Sequence, residues 1–243
     1  MGDQGALQTY LDLLRWGDQG WSDELIFGTL LTLQISFCGY IIGLCFGLLG
    51  AWGKLSGNKT TFWIAEGYTT LIRAVPELLL ILLLYYVGTD LIHRLFEVIG
   101  MGEEVQVNGF AAAVVVLGFV QGAYSTEVLR GAILSVPKGQ IEAAKAYGMP
   151  PVLRFRRILF PLMIRYALPG LNNLWVNILK DSSLISVVGL SELVFQSKTA
   201  ASGTKHYFFF YSAAGVIFLV MTYLSNTGIG FLERRVNRGV RRA

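Results

Sequence analysis

Long apolar runs alternate along the chain with shorter polar segments, and the runs are too long to be strands. A helix needs about 20 apolar residues to span a bilayer. Five stretches meet that length, at roughly 26 to 52, 63 to 88, 107 to 129, 168 to 190 and 207 to 231. The pattern predicts an all-α, polytopic integral membrane protein with five transmembrane helices in one bundle. Residues 1 to 25 form an N-terminal segment, 26 to 233 the transmembrane domain, and 234 to 243 a basic tail.

Several runs are interrupted in ways that a purely lipid-facing helix would not need. Gly39, Gly43 and Gly47 recur every fourth residue and lay a smooth stripe along one face, which lets another helix backbone approach closely. In the second run, Arg73-Ala74-Val75-Pro76-Glu77 places two charges and a proline inside apolar sequence, and the proline is expected to kink the helix. An arginine at bilayer depth costs about 2.5 to 3.5 kcal/mol on the insertion scale, which makes Arg73 a functional candidate. A structural pairing of Arg73 with Glu77 or Glu66 is the alternative.

The fourth run is the most polar. Asn172, Asn173, Asn177, Lys180, Asp181, Ser182 and Ser183 interrupt it, and helical spacing brings Asn173, Asn177 and Lys180 to one face. Such a face must look at protein or water. The solute-pathway candidates are Arg73, Glu77, Asn173, Asn177, Lys180, Asp181 and Ser182. In the third run Gln121, Tyr124, Ser125 and Glu127 could extend that pathway, or Glu127 and Arg130 could form a structural pair.

Composition agrees with a bilayer. Hydrophobic residues make up 53% of the chain and charged residues 15%, too apolar for a soluble domain of this length. The distribution of charge then sets topology. Lys54, Lys59, Arg130, Lys138, Lys145, Arg154, Arg156, Arg157, Arg165, Arg234, Arg235, Arg238, Arg241 and Arg242 occupy one alternating set of segments. The opposite set holds only Arg15, Arg94, Lys198 and Lys205, among many acids that include Asp23, Asp90 and Glu192. The positive-inside rule predicts a periplasmic N-terminus, a cytoplasmic C-terminus and a cytoplasmic loop at about 130 to 165. The basic balance therefore reports topology and lipid contact, with no nucleic acid implied. The acidic first segment is the wrong charge for a cleaved signal peptide and reads as preceding an uncleaved signal-anchor.

Other chemistry is sparse. Cys38 and Cys45 lie seven residues apart, about 10 Å along one helix and too far for a disulfide. His93 and His206 have no neighbouring ligand set, so no metal site is expected. No Ser/His/Asp set is available, and Gly53-Lys54 is followed by Leu55 where a phosphate loop needs Ser or Thr. The chain is expected to be non-catalytic and to bind no cofactor.

The loop itself carries the most information. Ala143, Ala144 and Ala146 favour a helix with a close-packing surface. Gly148 suits a left-handed end to it, and Pro150 or Pro151 suits the first turn of a second helix. Glu142-Ala143-Ala144, Gly148, Ile158 and Pro161 fall at the spacing of the EAA loop of bacterial ABC importer membrane subunits, with Phe160 in place of the usual Leu. The chain resembles the polar amino-acid family of those permeases, and Glu66 to Pro76, Val136 to Gly139, Arg165 to Gly170 and Phe231 to Arg235 extend the likeness over most of the chain after Gly28. Within that family the Q-type permease of the histidine/lysine/arginine/ornithine importer, with its octopine and nopaline relatives, is the nearest pattern.

This resemblance implies a type I ABC importer permease fold in the inner membrane, paired with a second, M-type permease subunit. It also implies an ABC ATPase dimer that binds ATP and Mg, and a periplasmic amino-acid-binding protein. Glu142, Ala143, Ala144, Gly148, Ile158 and Pro161 would couple to the ATPase. The expected cargo is a basic or polar amino acid, histidine, lysine, arginine or ornithine, with an opine as the alternative. A secondary transporter would want inverted repeats, and a channel would have no use for the loop. Both rank below the importer reading.

Overall fold

A computed structural model of the chain describes residues 10–17, 20–98 and 108–236, the side chain of Leu232 excepted. The described residues are helical with no strand. The elements are α1 (Ser22–Leu55), α2 (Lys59–Ala74), α3 (Glu77–Val98), α4 (Gly109–Leu134), α5 (Lys138–Ala146) and α6 (Pro151–Arg154). A π-helical turn (Phe155–Leu159) runs into α7 (Phe160–Asp181), and a 3-10 segment (Ser182–Val188) leads to α8 (Leu193–Thr204) and α9 (Tyr207–Val236).

Four of these helices, α1, α3, α4 and α9, are long and apolar enough to cross a membrane. They contain or overlap the first, second, third and fifth predicted runs. The second run, at 63 to 88, is two helices where one kinked helix was expected. Val75, whose φ of −103° and ψ of 141° are extended, sits immediately before Pro76, where the proline ring excludes the helical conformation. The fourth run is displaced as well. Its helix begins at Phe160, inside the span assigned to the loop, and gives way to the 3-10 segment after Asp181. Pro161 lies in its first turn and Pro169 lies within it without ending it. Much of the basic tail, including Arg238, Arg241 and Arg242, lies outside the described residues, whereas Arg234 and Arg235 belong to α9.

The central seam joins α1 to α4 along the glycine stripe. A Cβ on Gly39 would come 3.6 Å from Leu117 Cδ2 of α4 and 3.2 Å from Ile178 Cδ1 of α7, one on Gly43 3.0 Å from Gln121 Cγ, and one on Gly47 2.5 Å from Ser125 Cβ. Gly118 and Gly122 answer from α4, where a Cβ would meet Ile42 and Phe46 side chains at 2.6 and 2.5 Å. Helices in lipid gain little from burying apolar surface against each other, so backbone proximity of this kind is what holds them. Around the seam, Ile35, Ile81, Val114, Leu117, Ile178 and Ile185 form one core across α1, α3, α4, α7 and the 3-10 segment. A second core unites Leu25 of α1, Leu193, Ala200 and Ala201 of α8, and Phe210 and Ala214 of α9.

Candidate functional site

The loop between α4 and α7 folds as a helix, a tight turn and a second helix. Gly148 adopts φ +71°, the left-handed conformation that a Cβ disfavours. Its N–H donates to the Lys145 carbonyl at 2.9 Å and the Met149 N–H donates to that of Ala144 at 3.0 Å. The pair of bonds satisfies carbonyls that α5 would otherwise leave open, the Schellman arrangement. Pro151 then opens α6, where a missing N–H costs nothing. Ala144 faces inward and is buried, while Glu142, Ala143 and Gly148 are exposed and Ile158 is half-buried. Tyr147 is 90% exposed and Val152 80%, so two apolar side chains project from the turn that the sequence pattern did not single out.

A second grouping forms where α2 breaks. The Arg73 guanidinium lies over the Tyr124 ring, 5.9 Å from its centroid, within reach of a cation–π attraction. Glu77 neighbours both Tyr124 and the carboxyl of Asp181. Residues from α2, α3, α4 and α7 thus meet around one basic and two acidic groups. Asn173, Asn177 and Lys180 share the exposed face of α7, opposite the buried Leu174 and Ile178. Beside them, Asn172 donates to Asn226 of α9 at 3.1 Å. Lys180 and Asn226 border an open groove of about 440 Å³ with Phe218, Thr222 and Tyr223. Ser182 stands apart. It is buried and its hydroxyl donates to the Leu179 carbonyl at 2.7 Å.

Glu66 is not a partner of Arg73. It pairs at 2.9 Å with Lys54, which also bonds Glu127 and donates to Thr69 Oγ1 at 2.7 Å. Arg130 in turn reaches Glu127 at 3.4 Å. The expected Glu127–Arg130 pair exists, as part of a four-charge network that sequence reasoning missed because Lys54 looked like a topology marker. Glu192 was missed too. Wholly buried, it accepts from the Val194 and Phe195 N–H groups at 2.9 Å each and from the Thr32 hydroxyl at 3.3 Å, capping α8 and tying it to α1. An acidic residue just before an apolar helical run is a cap signal that could have found it.

Among the described residues no group of three or more His, Cys, Asp or Glu could hold a metal ion.

Known proteins agree with this architecture. The nopaline transport system permease protein NocQ of Agrobacterium fabrum is 46% identical over 95% of this chain and 98% of its own length. The histidine/lysine/arginine/ornithine transport system permease protein HisQ of Escherichia coli is 45% identical over 92% and 98%. In three dimensions, the crystal structure of an amino acid ABC transporter with histidines aligns at a TM-score of 0.75 and 31% identity, covering 88% of this chain and 95% of that one. Residues 43–238 match the family described as binding-protein-dependent transport system inner membrane component. Such a component is the membrane subunit of an importer whose ATPase is a separate subunit. The chain belongs to that family of binding-protein-dependent inner membrane transport components.

Proposed function

We propose that the chain is the permease subunit of an ATP-driven importer that moves a basic amino acid from a periplasmic binding protein into the cytoplasm. The observation that carries the substrate class is the meeting of Arg73 with Glu77 and Asp181 at the break between α2 and α3. A basic amino acid offers one carboxylate and a cationic side chain. Arg73 suits the first through charge-assisted hydrogen bonds, and the two acids suit the second. Asn173, Asn177 and Lys180 would continue the path along the exposed face of α7, with Ser182 holding the helix end behind it. The kinship with permeases for histidine, lysine, arginine and ornithine supports this reading. That with a nopaline permease at 46% identity favours an opine as the second.

In this reading α7 is the fifth crossing. It is too polar to qualify by composition because its polar face looks at a companion permease of the M type and at the solute. The N-terminus is then periplasmic, the loop at about 130 to 165 is cytoplasmic, and the protein is multi-pass in the bacterial inner membrane. Glu142, Ala143, Ala144, Gly148, Ile158 and Pro161 shape a knob that docks on an ABC ATPase dimer. ATP binding with Mg closes that dimer and moves the knob. The bundle then turns from inward-open to outward-open.

Ligand-stimulated ATP hydrolysis tests the whole reading, in nanodiscs holding this chain, its companion permease, the ATPase and the binding protein loaded with L-arginine. Stimulation is expected for the wild type and its loss for Gly148→Asp, which forces a side chain onto a φ of +71°. Failure of the wild type to assemble with an ATPase would sink the proposal. Displacement of arginine by nopaline would move it to the opine.

A further inference from the structure

The knob must pull on something, and the charge network marks where. The Lys54 side chain is only 2% exposed. Its ammonium has three protons, and Thr69, Glu66 and Glu127 offer three acceptors. Those acceptors come from two helices other than its own, α2 and α4. Arg130, on the same helix as Glu127, is the fourth charge of the network, and its Nε is buried without a hydrogen-bond partner.

The position matters as much as the pairing. Arg130 lies one turn before the end of α4 at Leu134, and only Ser135, Val136 and Pro137 separate that end from α5. Val136 is buried, 3% exposed, and the Ser135 N–H and hydroxyl both donate to the Gly131 carbonyl, at 3.0 and 2.8 Å. The root of the knob is therefore fixed to α4. On the other side, Glu66 and Arg73 are seven residues apart on α2, about 10 Å along the helix axis.

We propose that Lys54 is a positioning residue that clamps α4, at the root of the knob, to α2, the helix that carries Arg73, so that movement of the knob reaches the solute site through Glu127, Lys54 and Glu66. This inference rests on the importer reading. Its physical warrant is that a desolvated ammonium stranded without its acids is strongly unfavourable. A displacement of α4 therefore carries α1 and α2 with it in preference to opening the contact. The unpartnered Arg130 Nε gives the network a donor in reserve, which can engage a carboxylate as the helices shift.

The test is the ratio of stimulated to basal ATP hydrolysis in the assembled importer in nanodiscs, with the binding protein loaded with L-arginine. Lys54→Met combined with Glu127→Gln removes the link yet leaves Glu66 near Arg130, so no buried charge is stranded. Assembly and basal hydrolysis are expected to persist while the ratio falls about fivefold or more, the low end of coupling between distinct sites. A double variant with the wild-type ratio overturns the clamp and leaves the network as a stabiliser of the fold alone. If that variant does not assemble, Glu127→Asp, which keeps the charge and withdraws it by one methylene, decides by the same ratio. A fall supports the clamp and an unchanged ratio overturns it. An unstimulated wild type removes the importer reading and the clamp with it. A stimulated wild type beside an unaffected variant removes the clamp alone.

Discussion

Helix α1 meets a buried charge near each of its ends, and the two are accommodated by different physics. At Lys54 the charge is a cation, and acids from two neighbouring helices neutralise it. At Thr32 the group is an acid, Glu192, and among the described residues no cation pairs with it. Two backbone N–H groups and one hydroxyl receive it, and burial pushes its carboxyl up to about 7 from the ordinary 4.5, against the pull of those three hydrogen bonds. A lysine this deep needs counter-charges from other helices, and so ties them together. A glutamate at a helix N-terminus can instead hold a proton and remain a local cap. The difference separates a connection that spans elements from one that secures a single element.

The largest effect should come from stripping the cation of its acids. Glu66→Gln with Glu127→Gln leaves the Lys54 ammonium buried among neutral acceptors with no counter-charge, at a cost of about 3 to 5 kcal/mol. Thermal unfolding in detergent should show a large fall in midpoint, and a midpoint within a degree or two of wild type would erase the distinction. The Glu192 end should respond to pH instead. Its folded state holds the proton more tightly than the unfolded chain does. The associated stabilisation is complete below about pH 4.5 and is lost as pH rises through about 7, roughly 3 kcal/mol at 1.36 kcal/mol per unit. The wild-type midpoint should therefore decline between pH 5 and 8 relative to Glu192→Gln. Parallel curves for the two proteins would contradict the assignment.

The finest comparison uses the two threonines. Thr32→Val leaves the buried Leu193 N–H, which now donates to the Thr32 hydroxyl at 3.2 Å, without a partner and should cost about 1 to 3 kcal/mol. Thr69→Val removes one of three acceptors from Lys54, whose two carboxylates remain, and should cost about 0.5 to 1.5 kcal/mol. Chemical denaturation of both variants at one pH measures the order, and a reversed order would mean that Lys54 depends more on the hydroxyl than on its acids.

What could be read from the sequence depended on whether a signal was local. The turn at Gly148 and the start at Pro151 follow from backbone preferences of single residues, and both hold. The glycine stripe follows from helical spacing, and it does form the seam. Pro76 was read correctly as a perturbation and wrongly as a kink, because the decisive constraint falls on Val75, the residue before it. The 3-10 segment after Asp181 carries no break signal before Gly189, which takes φ +88°, so the predicted run extended past the helix end. The Lys54 network was out of reach for another reason. Its acids lie 12 and 73 residues away in the chain, as the tie from Glu192 to Thr32 spans 160, and no periodicity within one segment reports such a contact, whereas the cap that Glu192 forms on α8 is local and was legible. The grouping of Arg73, Glu77 and Asp181 was legible as three polar residues in apolar sequence and became a single place only when the helices were assembled.

The glycine seam has a mechanical consequence. Two helices packed at close backbone range over several turns, each glycine seated against a side chain of the other, behave as a laminated beam, much stiffer in bending than either strip alone. Load applied at one end of such a beam is delivered to the other with little loss, and deformation collects where helical hydrogen bonding is interrupted. In this chain those compliant points are Val75–Pro76 and Ser182–Val188, which flank the place where Arg73, Glu77 and Asp181 meet.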